Sequence, residues 1–299
     1  MINRLPLWFR QNLPGNIALS RMHLLSELKV NTVCSEARCP NFGDCFSNLR
    51  LTFMILGDIC TRNCKFCGVE KSNAKLLDFD LDEPGRIAGV VGKLGLKYVV
   101  LTSVTRDDLE DGGASIFART IELIHSLNKG IKVEVLIPDF KDKIDSIKCV
   151  LDAHPQVIAH NIETVKRLYE EIRPKANYEL SLGVLREIKG VSPTSVTKSS
   201  LMLGLGEREE EVKLTLQDLR GADCDIITLG QYLAPSQNHY PVQEFISLEK
   251  FMHYRQMGIA LGFKAVLSGP LVRSSYQAEE VYNNVKTMSY ACLTGRQEP

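Results

Sequence analysis

The stretch Leu51-Thr-Phe-Met-Ile-Leu56-Gly-Asp-Ile-Cys60-Thr-Arg-Asn-Cys64-Lys-Phe-Cys67 joins an apolar run to three closely spaced cysteines. The run at 51–56 has the composition of a buried strand. The cysteines follow it in the pattern Cys-x3-Cys-x2-Cys. Three thiolates at this spacing supply three ligands to a four-iron four-sulfur cluster, which leaves one iron open for a substrate. The stretch therefore predicts a strand that leads directly into an iron-sulfur site.

Six of the nine cysteines lie in two such triplets, the second of which precedes the strand. That triplet consists of Cys34, Cys39 and Cys45. A disulfide framework does not fit, because disulfide-dense chains are small and secreted. Structural zinc is a stronger alternative, but it needs four Cys or His ligands, and no histidine lies between Cys34 and His125. The remaining cysteines stand alone and are interpreted as buried apolar residues or unused thiols: Cys149, Cys224 and Cys292.

Length and composition predict a large enzyme with a substantial core, since the chain has 299 residues and 44% hydrophobic content. The 36 basic and 36 acidic residues balance, so no overall field attracts nucleic acid or an anionic membrane. The first ten residues do not resemble a secretory signal, and no apolar run reaches the roughly 20 residues that span a bilayer. We therefore expect a cytoplasmic protein, or an organellar one if a transit peptide has been removed.

Strand-like and helix-like segments alternate along the chain, which favours an α/β fold with a parallel sheet. Strands are predicted at 51–56, 98–102, 132–137, 157–160, 200–203, 226–229 and 265–267. Helices are predicted near 83–95, 114–128, 141–153, 162–171, 177–189, 207–220 and 247–261. The polar motifs directly follow strands, as they do at the carboxyl-end face of barrel enzymes.

We therefore predict a partial TIM-type (β/α)6 barrel over 51–268, with an N-terminal cluster-binding extension over 1–50 and a C-terminal segment over 269–299. An open doubly wound sheet is the alternative, although no Gly-x-Gly-x-x-Gly loop follows the first strand.

An open iron at the mouth of a barrel can bind the amino and carboxylate groups of a methionine moiety and deliver an electron to the adjacent sulfonium. S-adenosylmethionine is the cofactor whose radical chemistry needs this arrangement. The 5′-deoxyadenosyl radical that results abstracts hydrogen from unactivated carbon. Phe66 lies between two of the cysteines and either shields the cluster, packs on adenine or is an ordinary core aromatic residue.

The segment Cys60-Thr-Arg-Asn-Cys64-Lys-Phe-Cys67 resembles the radical S-adenosylmethionine signature, and other motifs resemble the lipoyl synthase family in particular. Cys34-x4-Cys39-x5-Cys45 is similar to the auxiliary-cluster motif of that family, and Arg273-Ser-Ser-Tyr276 to its C-terminal element. Segments 105–113, 160–164, 197–207 and 228–236 also match. The resemblance runs from about residue 5 to residue 285. Its departures are mild: Gln277 replaces a histidine common in relatives, and 5–8 matches the usual entry motif loosely.

This resemblance implies two four-iron four-sulfur clusters and S-adenosylmethionine as cofactors. The reductive cluster would be held by Cys60, Cys64 and Cys67. The auxiliary cluster would be held by Cys34, Cys39 and Cys45, completed by an oxygen of Ser275 or, alternatively, Ser274. Arg273 would stabilise negative charge on this cluster or form an ordinary salt bridge.

Further cofactor contacts are expected. Thr102 and Ser103, just past the second strand, would bind the methionine amino group or its backbone, Asn161 and Glu163 the ribose hydroxyls or the sulfonium end, and Lys198 the methionine carboxylate. The acidic run at 107–111 is interpreted mainly as a polar loop that caps a helix.

The reaction that the resemblance implies is insertion of two sulfur atoms into an octanoyl chain bound to a lysine of a carrier protein, with the auxiliary cluster as sulfur donor. The carrier would be a lipoyl domain of a 2-oxoacid dehydrogenase or the glycine cleavage H protein. A flavodoxin or ferredoxin type protein would supply electrons, and an iron-sulfur assembly factor would rebuild the cluster.

Two alternatives remain. A regulatory protein without turnover is disfavoured because every ligand position is filled. Another radical enzyme is the second: biotin synthase lacks the upstream triplet, and peptide-modifying maturases usually carry their auxiliary cysteines after the barrel.

Overall fold

The fold is built around a parallel sheet. The computed structural model describes residues 5–9, 11, 13–72 and 80–294, with side-chain detail as far as residue 287. The strands in these ranges are β1 Thr52–Ile55, β2 Ile59–Cys60, β3 Glu70–Lys71, β4 Tyr98–Ser103, β5 Lys132–Leu136, β6 Val157–Ala159, β7 Val196–Leu203, β8 Ile226–Gln231 and β9 Ala265–Gly269.

Helices precede, connect and follow these strands. They are α1 Asn16–Glu27, α2 Val33–Glu36, α3 Phe42–Ser47, α4 Glu83–Lys93, α5 Ala114–Leu127, α6 Ile144–Asp152, α7 Tyr169–Ile172, α8 Tyr178–Val191, α9 Glu209–Gly221, α10 Leu248–Ala260 and α11 Ala278–Thr294. Short 3-10 helices lie at Leu7–Phe9, Phe140–Asp142 and Lys166–Leu168.

In the part of the chain that the structure describes, seven strands form one sheet in the order β1-β4-β5-β6-β7-β8-β9. Each neighbouring pair is parallel, and a helical connection lies between successive strands. Six strand-helix units are thus followed by a seventh strand, β9. The predicted α/β partial barrel is confirmed, and the alternative of a doubly wound sheet is not.

All seven predicted strands are present, but two predicted boundaries need correction. Strand β7 begins at Val196, four residues before the predicted start at Ser200. The helix predicted near 162–171 is shorter: only the 3-10 turn Lys166–Leu168 and the single helical turn Tyr169–Ile172 form there. Strands such as β1 and β4 were readable because they are buried on both faces and consist of continuous apolar runs.

A sharp turn after β1 directs the chain into the cysteine loop. Leu56 and Gly57 both have a positive φ, at 68° and 86°. The backbone N–H of Leu56 donates to Oε2 of the buried Glu83, at 2.7 Å, and Glu83 is the first residue of α4. The end of the first strand is therefore fixed to the helix that follows it.

The amino end of the sheet is covered by α11. A cluster of buried residues joins the first residues of four strands to one face of this helix. It includes Tyr98, Val157, Val196 and Ile226 from the strands, and Ala278, Val281, Tyr282 and Val285 from α11. Since this end is occupied by apolar packing, the opposite, carboxyl end is the one left for a site.

The segments that flank the barrel contact each other. Asn41, between α2 and α3, donates from Nδ2 to the backbone oxygen of Leu271 at 2.6 Å. Arg50 forms ion pairs with Asp44 of α3 at 3.3 Å and with Glu280 of α11 at 2.9 Å. The division of the chain at residues 50 and 268 stays a prediction.

Candidate active site

A cavity of about 790 Å³ opens among the loops that follow the strands, and both cysteine triplets line it. Most other predicted site residues line it too: Phe66, Thr102, Ser103, Asn161, Glu163, Arg273, Ser274 and Ser275. The first triplet comes from the loop after β1, the second from α2, α3 and the turn between them. The fold therefore brings two groups of thiols, separate in sequence, to one cavity.

The loop that carries the first triplet is held at both ends. Strand β2 includes Cys60 and pairs with β3. The backbone N–H and the hydroxyl of Thr61 both donate to the backbone oxygen of Thr105, at 3.0 and 2.8 Å. Further along, the N–H of Cys67 donates to the backbone oxygen of Cys64 at 3.3 Å. These bonds curl the loop so that its three thiols point into one region.

Arg62 holds the middle of this loop, and sequence reasoning missed it. Its guanidinium donates two hydrogen bonds to Asp107, both at 2.9 Å, and two to Asp139, both at 2.6 Å. The side chain is 7% exposed, so these bonds form away from water. A buried guanidinium paired with two carboxylates is a rigid connection, and it ties the cysteine loop to the loops after β4 and β5.

A histidine supports the other end of the loop. Nε2 of His239 lies 3.1 Å from the backbone oxygen of Cys67, and its Nδ1 lies 2.8 Å from Oγ of Ser236. The carbonyl can only accept, so Nε2 carries the proton and Ser236 donates to Nδ1. Gly68 lies close beside this contact: a Cβ there would lie 3.1 Å from both the Ala37 oxygen and Cβ of Pro235, so these neighbours would have to shift by a few tenths of an ångström.

Thiols of the first triplet are buried enough to resist ionisation. Burial raises the pKa of the Cys64 thiol, and it raises the pKa of the Cys67 thiol to about 12. Thiolate ligation at this site therefore requires a bound cation to supply the compensating charge. A cluster of iron ions meets that requirement.

The thiols of the second triplet contact one another. Hydrogen bonds to Cys39 and Cys45, together with burial, raise the pKa of the Cys34 thiol well above its usual value. The hydrogen bond from Cys34 lowers the pKa of Cys39 to about 6, helped by the positive charge of Arg273 against the effect of burial. The triplet thus contains one thiol that ionises readily, as a metal ligand must.

The two serines of the C-terminal segment form hydrogen bonds to different elements. Oγ of Ser275 accepts a hydrogen bond from Thr52 Oγ1 at 2.8 Å, whereas the Ser274 hydroxyl donates to Asn161 Oδ1 at 3.0 Å. The C-terminal segment can pack against β8 because residue 230 is a glycine. A Cβ on Gly230 would lie 2.0 Å from the Val272 oxygen.

Polar residues at the end of β4 and after β6 line the same cavity. Asn161 Nδ2 donates to Glu163 Oε1 at 3.0 Å, and Glu163 holds an unusual backbone φ of 65°. The Thr102 hydroxyl donates a hydrogen bond to the Leu136 backbone oxygen at 3.0 Å. The buried hydroxyl of Ser103 has no hydrogen-bond partner among the described residues. Ser103 is therefore free to bind a ligand, while Thr102 is already occupied.

Two more buried residues at the cavity wall were not predicted from the sequence as site residues. Burial lowers the pKa of His160 to about 4, so its ring is neutral. Its Nδ1 lies 2.9 Å from the Ile137 oxygen, which fixes the proton on Nδ1. Nε2 of His160 and Nε of Arg173 have no partner within the described ranges. Buried polar atoms without partners are rare and indicate an absent polar ligand.

The structure does not bring Lys198 to the cavity. Its Nζ lies 2.7 Å from Glu134 Oε1 between β7 and β5, and the side chain is 0% exposed. Arg173 is instead the buried cation that reaches the cavity wall. The acidic run also has structural duties: Asp107 and Asp108 pair with Arg62 and Arg106, and Asp111 accepts N–H groups at the start of α5. The predicted capping role is confirmed.

Among the described residues, no three His, Cys, Asp or Glu side chains have the spacing to hold a single metal ion. No described helix is both long and apolar enough to cross a bilayer. Of the solitary cysteines, Cys224 is buried and Cys149 half-buried, and Cys292 lies outside the described side chains.

Comparisons with known proteins agree with this geometry. The family model of the radical SAM superfamily matches residues 54–219. The FeFe-hydrogenase maturase HydG from Carboxydothermus hydrogenoformans superposes with a TM-score of 0.55 at 16% identity, covering 78% of this chain and 65% of that one. Methylornithine synthase (PylB) gives a TM-score of 0.52 at 14% identity, covering 80% and 81%. The two structures share the fold, and the family model makes the chain a radical S-adenosylmethionine enzyme.

Sequence relatives narrow this class. Lipoyl synthase from Caldicellulosiruptor bescii is 53% identical over 268 residues, which are 89% of this chain and 91% of the relative. Lipoyl synthase from Thermus thermophilus is 50% identical over 279 residues, 93% and 86% of the two chains. The chain therefore belongs to the lipoyl synthase family of radical enzymes, which insert sulfur to form lipoyl groups. Its cofactors are S-adenosylmethionine and two four-iron four-sulfur clusters.

Proposed function

We propose that this enzyme inserts two sulfur atoms into an octanoyl chain carried on a lysine of a protein domain, and that the auxiliary cluster is the sulfur donor. The observation that carries the proposal is that both cysteine triplets line one cavity of about 790 Å³. A radical source and a sulfur source in one cavity can act on the same substrate chain.

At the radical end, Cys60, Cys64 and Cys67 hold the reductive cluster. This cluster, when bound, supplies the electron that cleaves S-adenosylmethionine. Arg173 replaces Lys198 as the partner of the methionine carboxylate, because it is a buried cation at the cavity wall and its Nε has no partner among the described residues.

Other side chains at this end hold the rest of the cofactor. Ser103 binds the methionine amino group, with Thr102 shaping the wall beside it. Asn161 and Glu163 hold the ribose hydroxyls. Phe66 is half-buried against the core and lines the cavity, which supports packing against adenine.

At the sulfur end, Cys34, Cys39 and Cys45 hold the auxiliary cluster, and Ser275 completes it. Ser274 is the weaker candidate, because its hydroxyl is already used on Asn161 at 3.0 Å. Serine oxygen is a harder ligand than thiolate and binds a thiophilic iron less firmly, which suits a cluster that must give up sulfur. Arg273 lies close enough to Cys39 to lower its pKa, and this supports a role in stabilising negative charge on the cluster.

The macromolecular partners follow from this reaction. The substrate is an octanoylated lipoyl domain of a 2-oxoacid dehydrogenase or the glycine cleavage H protein. A flavodoxin or ferredoxin type protein supplies electrons, and an iron-sulfur assembly factor rebuilds the auxiliary cluster. The balance of 36 basic and 36 acidic residues supports neither nucleic-acid nor membrane binding, and we place the enzyme in the cytoplasm or an organelle that keeps thiols reduced.

An anaerobic assay of reconstituted protein tests the proposal. It contains an octanoyl-lysine peptide, S-adenosylmethionine and a reductant, and mass spectrometry follows deoxyadenosine and the peptide. We expect deoxyadenosine together with a peptide that has gained two sulfur atoms. When the clusters are reconstituted with isotopically labelled sulfide before the assay, the label must appear in the product. Deoxyadenosine without sulfur insertion would contradict the proposed substrate, and unlabelled product would contradict the sulfur source.

A further inference from the structure

Thr52, the first residue of β1, directs its hydroxyl at Ser275. Thr52 Oγ1 donates to Ser275 Oγ at 2.8 Å, across 223 residues of sequence. Both side chains line the cavity that contains the two cysteine triplets. The neighbouring serine, Ser274, is bound to a different element, through Asn161 after β6. The two adjacent serines therefore have separate partners on different elements.

The donor in this contact is fixed in place. Thr52 is 6% exposed and lies in a strand that is buried throughout and paired with β4. A β-branched side chain has little freedom about χ1, so the Thr52 hydroxyl has one well-defined direction. Strand packing needs only the shape of this side chain, which valine also provides. The hydroxyl itself is thus available for a purpose other than holding the strand.

Ser275 needs such a partner more than most serines do. It lies on an irregular segment between β9 and α11, anchored by the Asn41 contact to Leu271 at 2.6 Å. An oxygen that binds iron carries negative charge, and a hydrogen bond donated to it stabilises that charge and fixes its direction. Thr52 is a donor to this oxygen, so the contact persists when the oxygen uses another lone pair on iron.

We propose that Thr52 is a positioning residue for Ser275, and that its hydrogen bond sets how firmly the auxiliary cluster retains its fourth iron. This inference rests on the proposed function, specifically on Ser275 as the ligand that completes the cluster. Residues that orient a ligand from behind change metal affinity although they never contact the metal.

The test uses the full-length chain with Cys60→Ala, Cys64→Ala and Cys67→Ala, so that only the auxiliary cluster assembles. Into this parent we introduce Thr52→Val, Thr52→Ser, Ser275→Ala and the Thr52→Val/Ser275→Ala pair. Thr120→Val is the matched control, since Thr120 is also buried and its hydroxyl bonds only to the Ile116 oxygen within α5. Mössbauer spectroscopy counts three-iron and four-iron clusters, and a chelator measures the rate of iron loss.

We expect Thr52→Val to lose iron at least about 10-fold faster than the parent, the effect of one lost hydrogen bond to a charged group, with more three-iron cluster. Thr52→Ser, which keeps the hydroxyl, and Thr120→Val should match the parent. Ser275→Ala should lose iron fastest, and adding Thr52→Val to it should change nothing further, because the two residues act through one contact.

Three results overturn the inference in distinguishable ways. If Ser275→Ala accelerates iron loss but Thr52→Val behaves like the parent, Thr52 has no positioning role and the ligand assignment stands. If Ser275→Ala itself retains its fourth iron, the ligand assignment in the proposed function fails, and the role of Thr52 fails with it. An effect of Thr52→Val that simply adds to that of Ser275→Ala also contradicts a shared contact.

Discussion

Nζ of Lys198 lies 2.7 Å from Oε1 of Glu134, and the two side chains are 0% and 2% exposed. The hydroxyl of Tyr98 donates to the second oxygen of Glu134 at 2.9 Å. The carboxylate is therefore satisfied on both sides, and Lys198 has a structural partner in place of a ligand. This pair explains why a lysine sits in the middle of a buried strand.

Lys198→Met should destabilise the protein without weakening S-adenosylmethionine binding. Removing one partner of a buried ion pair leaves an uncompensated charge, which costs about 3–5 kcal/mol of unfolding free energy. Urea unfolding measures this loss, and adding Glu134→Gln should recover part of it. A Lys198→Met variant of normal stability but weak cofactor binding would restore the role predicted from the sequence.

Asp139 should make stability depend on pH in the acidic range. Burial acts to raise the pKa of this carboxyl, but the hydrogen bonds and charge of Arg62 outweigh it and lower the pKa to about 2. A carboxyl whose pKa is lower in the folded state stabilises the fold above its unfolded pKa of about 4, and this contribution disappears as pH falls towards 2.

Asp139→Asn removes this titration while keeping the shape of the side chain. Between pH of about 5 and about 2.5, we expect the parent to lose about 2 kcal/mol more unfolding free energy than the variant. Urea unfolding of the cluster-free chain at several pH values provides the comparison. Parallel pH profiles for the two proteins would show that the Arg62 pair does not contribute.

Loss of a cysteine from one triplet should impair a different step from loss of a cysteine from the other. Cys64→Ala removes a ligand of the reductive cluster and should abolish cleavage of S-adenosylmethionine. Cys39→Ala should spare cleavage and stop sulfur insertion, because the radical source and the sulfur source are separate. Deoxyadenosine and dithiolated peptide are measured in the same reaction. Normal deoxyadenosine formation by Cys64→Ala, or complete lipoyl formation by Cys39→Ala, would reverse these assignments.

Most of the barrel was predictable because its strands carry their signal locally. Strand β4 is a run of apolar, β-branched and aromatic residues that no other element fits well. The start of β7 was missed because Val196-Thr-Lys-Ser199 contains polar residues, which are buried there beside partners distant in sequence: Thr197 bonds to Asp225, Lys198 to Glu134, and Ser199 accepts the N–H of Ile162. The same partner, Glu134, explains why Lys198 was wrongly expected at the cavity: a sequence does not show which charge a distant strand supplies.

The cysteines of the site could be predicted from the sequence, but the residues that support them could not. Cysteine spacing is a local signal, whereas Arg62 pairs with Asp107 and Asp139, which lie 45 and 77 positions further along the chain. Arg173 carried no motif that marked it, although a lone arginine just before Pro174 at the end of a short helix was visible in the sequence. Helices α1 and α11 were also missed; α1 has weak amphipathic character, and its apolar residues Ile17 and Leu19 face solvent.

His239 should affect the radical step through Cys67. His239→Ala removes the N–H that binds the Cys67 backbone oxygen at 3.1 Å, and loss of a contact behind a metal ligand costs about 10-fold or more in metal affinity or activity. His239→Gln offers an amide N–H at a similar reach and should recover much of the activity. Iron content and the rate of deoxyadenosine formation are the readouts. Equal rates for the alanine variant and the parent would show that the contact is dispensable.

Gly230→Ala should act on sulfur insertion through the backbone of the C-terminal segment. The added Cβ would lie 2.0 Å from the oxygen and 2.9 Å from the carbonyl carbon of Val272, and neither backbone atom can rotate away. Gly230 lies in β8, paired with β7 and β9, so the strand resists movement and the segment must shift instead. Because Ser275 follows Val272 by three residues, its approach to the auxiliary triplet is lost with that shift.

We expect Gly230→Ala to lower formation of dithiolated peptide at least about 10-fold, as loss of a metal ligand's support does, while deoxyadenosine formation changes far less. Gly183→Ala is the matched control: Gly183 lies in α8, a Cβ there would meet nothing within 4 Å, and alanine favours the helix by about 1 kcal/mol. The auxiliary cluster of Gly230→Ala should also lose iron faster, as that of Ser275→Ala does. If Gly230→Ala inserts sulfur at the parent's rate, the position of the C-terminal segment beside β8 does not control the fourth ligand.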